Sequence, residues 1–105
     1  MGAISKWESS VFAEAFLLWT AYGRDIMPRR DDALVVSRFG AEAASKLLPA
    51  IKSLMDAFYL SDAKYTAADL GEMSRMATEE FRAKHPEVED EVLKALAWCY
   101  TFDFK

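Results

Sequence analysis

Five carboxylates and the chain's single histidine are the residues best equipped for chemistry: Glu79, Glu80, Glu87, Glu89 and Glu91, with His85 among them. Clustered carboxylates can hold a divalent cation, and a histidine beside them can act as a general base. If Pro86 opens a helix, Glu87 and Glu91 are i,i+4 neighbours on one face. That arrangement suits a small carboxylate-metal phosphohydrolase, with Glu79 or Glu80 completing the set. The pattern argues for a plainer account. Carboxyl-bridged metal sites in helical bundles need Glu-x-x-His pairs or acids aimed inward from facing helices. Here the acids flank the apolar positions, and acids in a first helical turn are stabilised by the helix dipole.

Other reactive side chains have less support. His85 precedes Pro86 and is expected to end a helix as an exposed loop residue. Cys99 is the only cysteine, so it has no intramolecular disulfide partner, and its place on an apolar stripe predicts an inert thiol. One histidine and one cysteine do not make a zinc site. The four glycines, at 2, 23, 40 and 71, are too scattered for a phosphate loop. No cofactor or metal is expected, and the chain reads as a binder rather than an enzyme.

Charge supports that reading. Residues 1–52 hold seven Lys/Arg and six Asp/Glu, whereas residues 53–105 hold six and eleven, a net of −5. A one-sided negative field speeds encounter with a positive partner and repels nucleic acid and anionic membrane. Local pairing is expected for Glu72 with Arg75, Glu79 with Arg82, Glu80 with Lys84, and Asp90 with Lys94. Glu87, Glu89 and Glu91 are left over. Trp98 lies seven residues after Glu91, off the centre of the apolar stripe. Tryptophan is enriched among binding hot spots. The candidate partner-binding set is therefore Glu79, Glu80, Glu87, Glu89, Glu91 and Trp98. The loop with Arg24, Arg29 and Arg30 also holds Asp25, Asp31 and Asp32, so it is neutral and no nucleic-acid footprint.

The positioning elements are helical throughout. A composition of 52% apolar and 13% aromatic residues in 105 residues predicts one domain, 1–105, with its own core. Ser5-Lys6-Trp7-Glu8 reads as a capping box. The helix after it shows Trp7, Val11, Ala15, Leu18, Trp19 and Tyr22 on one face, widened by Phe12 and Phe16, and ends at Gly23. A helix apolar on so many sides is expected to be central. Asp31 or Asp32 caps a second helix that stops at Gly40. A third carries Leu47, Ile51, Leu54, Met55, Phe58 and Tyr59. Pro49 either lies in its first turn, with Ser45 as cap, or interrupts a longer helix.

Thr66-Ala67-Ala68-Asp69 reads as another N-terminal box, before Leu70, Met73, Ala77 and Phe81. That helix stops at His85 because Pro86 disfavours helix in the residue before it. Pro86 then opens a fifth helix with Val88, Val92, Ala95, Leu96 and Cys99 inward. No stretch alternates like a strand. The fold class is all-α, a small antiparallel bundle of four to five helices. No run reaches the roughly 20 apolar residues of a membrane span, and unpaired cysteine with no signal-peptide core makes the cytoplasm the expected compartment.

WESSVFAEAFLLWTAYGRDI at 7–26 and RFGAEAASKLLPAIKSLMDAFYLSD at 38–62 resemble a bacterial immunity protein from contact-dependent growth inhibition systems. The resemblance covers about half the chain and transfers no site residue. It implies a cytoplasmic protein that binds and neutralises a cognate toxin domain, often a nuclease. An acidic helical surface competes for the basic cleft in which such a toxin holds phosphate. A helical dimerisation or adaptor module is the remaining expectation, and oligomeric state is left open.

Overall fold

The computed structural model describes Trp7 and residues 9–104. They form five helices and one single helical turn: α1 Ser10–Thr20, α2 Asp32–Phe39, α3 Ala41–Phe58, the turn α4 Ala63–Thr66, α5 Leu70–Lys84 and α6 Asp90–Phe104. No strand occurs among the described residues. The molecule measures 42 × 39 × 18 Å, so its short dimension is about two helix layers thick. α1 packs against α2, α3 and α6, and α6 is flanked by α1 and α5.

α6 is buried over most of its circumference: Val92, Leu93, Ala95, Leu96, Ala97, Cys99 and Tyr100. α1 contributes Phe12, Ala15, Phe16 and Trp19 to the same core. The sequence stripe of α1 was centred one residue off. Val11 is 52% exposed, whereas Phe12 and Phe16 are buried. Apolar residues on nearly every side of α1 leave its inward face undefined until α2, α3 and α6 are in place.

The helix ends show which signals the chain uses. The Ser5–Glu8 box lies outside the described residues apart from Trp7, and Ser9 caps α1 by accepting from the Phe12 N–H. α1 ends at Ala21, not Gly23. Ala21 takes the left-handed conformation (φ 63°), while the Ala21 N–H reaches the Leu18 carbonyl and the Tyr22 N–H the Leu17 carbonyl. This is a Schellman motif, and its second N–H belongs to Tyr22, which it turns back over the helix. Asp31 caps α2 and Gly40 (φ 88°) separates α2 from α3. α3 is the longer helix with Pro49 inside. Ser45 is not its cap; its hydroxyl donates to the Glu42 carbonyl at 2.6 Å. Both Ser45 and Pro49 are exposed, which leaves the Ser45 carbonyl, deprived of an N–H by Pro49, on the water side of the helix.

Two further corrections fall in the second half. Thr66 belongs to α4, and the N-terminal box of α5 lies three residues later. Asp69 accepts from the Glu72 N–H at 2.8 Å and Glu72 accepts from the Ala68 N–H at 2.9 Å. This places Leu70 at the first helical position, where it is 44% exposed rather than in the core. Pro86 starts a turn rather than a helix, and α6 begins at Asp90. Glu87 and Glu91 are therefore not neighbours on one helix face.

Removing the cap should separate the two boxes. Asp69→Ala is expected to cost about 1 kcal/mol, seen as a lower urea midpoint. Thr66→Ala, which removes only a 3.4 Å bond to the Asp62 carbonyl, should leave that midpoint within about 0.5 kcal/mol of wild type.

Candidate partner-binding site

The six candidate residues fall in two places. Trp98 and Glu79 line a groove of about 510 Å³ between α5 and α6, to which Tyr22 also contributes. Trp98 is half-buried, and its ring meets Tyr22 edge-on, with centroids 5.5 Å apart. Two features place this pair. The burial of α6 on its other sides leaves the Trp98 face outermost, and the left-handed Ala21 swings Tyr22 against it. Ser74 and Thr78 of α5 and Ala97 and Thr101 of α6 form the walls.

Arg75, Glu79, Arg82 and Lys94 line the groove, and each of the three cations has an acid beside it. Arg75 meets Glu79 at 3.1 Å, Arg82 meets Asp90 at 3.2 Å, and Lys94 meets Glu91 at 3.0 Å. Glu91 holds the Lys94 ammonium above its ordinary range, by a hydrogen bond first and charge second. None of these pairs is the one expected from sequence. The reason is a chain of exchanges. Glu72 is taken by the cap of α5, so Arg75 takes Glu79. Arg82 is then left for Asp90, and Lys94 for Glu91. Glu91 is thus not the unpartnered acid the sequence predicts. All six side chains are at least half exposed, and such pairs contribute only about 0–1 kcal/mol each.

The other acids gather at the α5–α6 turn. Glu87 lies 3.6 Å from His85 Nδ1, so it also has a local partner. The His85 imidazole lies tilted against Phe81 at 4.5 Å and meets Trp7 edge-on at 5.2 Å; it closes the end of the core rather than standing free in a loop. Glu80 shares a small hollow with Leu60, Lys84 and His85 but forms no ion pair with Lys84 among the described residues. Glu89 is exposed, and its carbonyl receives the Leu93 N–H. Glu80 and Glu89 are the open carboxylates of the set. Among the described residues no three His, Cys, Asp or Glu side chains come close enough to hold a metal ion. The inward-facing carboxylates required by the phosphohydrolase expectation are not formed there. The Cys99 thiol is buried, and burial pushes it up to about 12, which keeps it neutral and unreactive at physiological pH.

One polar cluster has no counterpart in the sequence reading. Arg30 grips Asp103 with two hydrogen bonds, at 2.7 and 2.9 Å, and the Tyr59 hydroxyl donates to the same carboxylate at 2.6 Å. Arg30 adopts φ 52°, a left-handed conformation costing about 1–2 kcal/mol. Charge-assisted bonds of about 1.5–3 kcal/mol offset it. Next to this cluster the Tyr100 hydroxyl donates to the Ser61 carbonyl and receives the Lys64 N–H. These contacts tie the α1–α2 loop and the end of α3 to the last turn of α6. The sequence could not show this, because Arg30 and Asp103 are 73 residues apart.

No protein-family model, curated protein or solved structure matches this chain. No helix of the described residues is long and apolar enough to cross a membrane.

The Arg30 hydrogen bonds hold the Asp103 carboxyl below the ordinary carboxylate range; partial burial opposes them and the Tyr59 hydroxyl assists. A carboxyl lowered on folding stabilises above its unfolded value, about 3.9, and the stabilisation fades as pH falls through the folded value. Asp103→Asn should therefore lower stability by about 1–2 kcal/mol at neutral pH. The gap from wild type should close below about pH 4 in melting curves taken across pH.

Proposed function

We propose that this chain is a non-catalytic inhibitor of the immunity-protein type, which docks on a cognate toxin domain and blocks its basic active face. One observation carries the reading: an aromatic pair, Trp98 on Tyr22, half-exposed in a groove whose rim is made of solvated ion pairs. An apolar anchor ringed by weak polar contacts is the usual anatomy of a binding hot spot, where one Trp contributes about 2–4 kcal/mol. The ion pairs around it contribute far less. Affinity in this proposal therefore rests on Trp98, and the acids govern approach.

The steering survives the local pairing. Each ion pair cancels at long range, but residues 53–105 hold eleven acids against six bases, so a net of −5 remains. Glu80 and Glu89 present the uncancelled charge at the α5–α6 turn. A partner that grips phosphate with lysines and arginines is drawn to that end of the molecule, at a rate that falls with salt. Seating Trp98 then covers the partner's cleft and slows release. The resemblance of residues 7–26 and 38–62 to immunity proteins supports the choice of a toxin as partner.

The test is a search of the reading frame immediately upstream for a secreted protein with a basic C-terminal domain, followed by titration of this chain into that domain. A 1:1 complex is expected, together with loss of toxin activity. Trp98→Ala should weaken binding by at least about 30-fold, the equivalent of 2 kcal/mol. Replacing Glu80 and Glu89 with Lys should slow association and flatten its salt dependence while changing dissociation little. No complex, or full affinity in Trp98→Ala, overturns the proposal.

A further inference from the structure

A second concavity adjoins the Trp98 groove along the C-terminal half of α1. It has a volume of about 240 Å³ and is lined by Glu14, Leu17, Leu18, Tyr22, Arg24 and Arg38. Tyr22 belongs to both hollows. Inside this one, Arg38 already holds Glu14 at 2.8 Å. Arg24 is exposed and has no side-chain partner among the described residues. Its backbone is nonetheless fixed, because its N–H reaches the Ala21 carbonyl at 3.0 Å. The guanidinium thus projects from a pinned turn, beside Leu17, Leu18 and Tyr22, all half-buried.

We propose that this hollow is a docking site for a peptide segment of a partner protein carrying a carboxylate next to an apolar side chain. The carboxylate pairs with the Arg24 fork, and the apolar side chain lies on Leu17, Leu18 and Tyr22. Charge complementarity selects the occupant. Two guanidiniums and one carboxylate line the site, a surplus of one positive charge, in a chain whose net charge is −4. One surplus charge matches one carboxylate, and guanidinium is shaped to take it with two parallel hydrogen bonds. A nucleotide is disfavoured, since pockets for ligands of that size span about 300–1,000 Å³, and with Arg38 held by Glu14 one guanidinium matches a single carboxylate rather than a polyphosphate. The site has its own footing apart from the toxin reading, and its test needs no toxin.

The probes are two capped dipeptides, N-acetyl-leucyl-glutamic amide and its leucyl-glutamine counterpart, titrated into the full chain and followed by backbone and side-chain NMR shifts. The acid is expected to saturate at millimolar concentration and to shift Leu17, Leu18, Tyr22 and Arg24. The glutamine peptide should bind about tenfold more weakly, as expected for losing one charge-assisted contact. Arg24→Gln, a change at an exposed side chain, should remove that difference and leave the melting temperature unchanged. Equal shifts from the two peptides, no saturation by either, or shifts centred elsewhere overturn the proposal. So does inorganic phosphate giving the same map at the same affinity, which marks a general anion site.

Discussion

Helix α6 has almost no side on which its middle turns can face water. Val92, Leu93, Ala95, Leu96, Ala97, Cys99 and Tyr100 are all buried, so both flanks must be covered. α1 covers one and α5 the other. Apolar burial of this kind contributes about 25 cal/mol per Å² and has no direction of its own. Direction comes from the helix ends: Ala21, Gly40, Asp69 and the turn at Pro86 decide where each covering helix starts and stops.

The remaining open strip of α6 is the one that carries Trp98. That strip stays open because the rest of the helix is committed to the core. The Schellman turn after α1 adds Tyr22 and then Arg24 to the same region. Two neighbouring hollows that share Tyr22, one aromatic with its cations paired to acids and one with the Arg24 guanidinium, thus meet at a single chain reversal. At the other end of α6, Arg30 and Tyr59 converge on Asp103 and fix the last turn against the α1–α2 loop and α3.

Magnitudes separate the roles of charge and surface. The rim ion pairs are solvated and nearly neutral in energy, so they neither hold the fold together nor form a strong site. They do leave the excess of acid in residues 53–105 intact as a long-range field. In the proposed complex, shape and desolvation at Trp98 are the stronger short-range terms.

Much of the fold was legible in local patterns. The helical periodicity, the Asp31 cap, the Gly40 stop, the end of α5 at His85 and the inward face of α3 all depend on spacing of four residues or fewer. Such signals act before distant segments meet. Partner choice was not legible. Glu72 serves as a cap or as a salt-bridge acid with similar local logic, and its capture by the Ala68 N–H leaves Arg75 to Glu79 and Arg82 to Asp90. Val11 and Phe12 compete for the same core, and only the positions of α2, α3 and α6 decide between them. The sequence by itself determined an all-helical chain with an acidic second half and a tryptophan off the core stripe. The tertiary structure decided which acids remain open, that Tyr22 joins Trp98, and that Arg30 reaches Asp103. Those outcomes depend on distances between residues far apart in the chain, and no short-range preference encodes them.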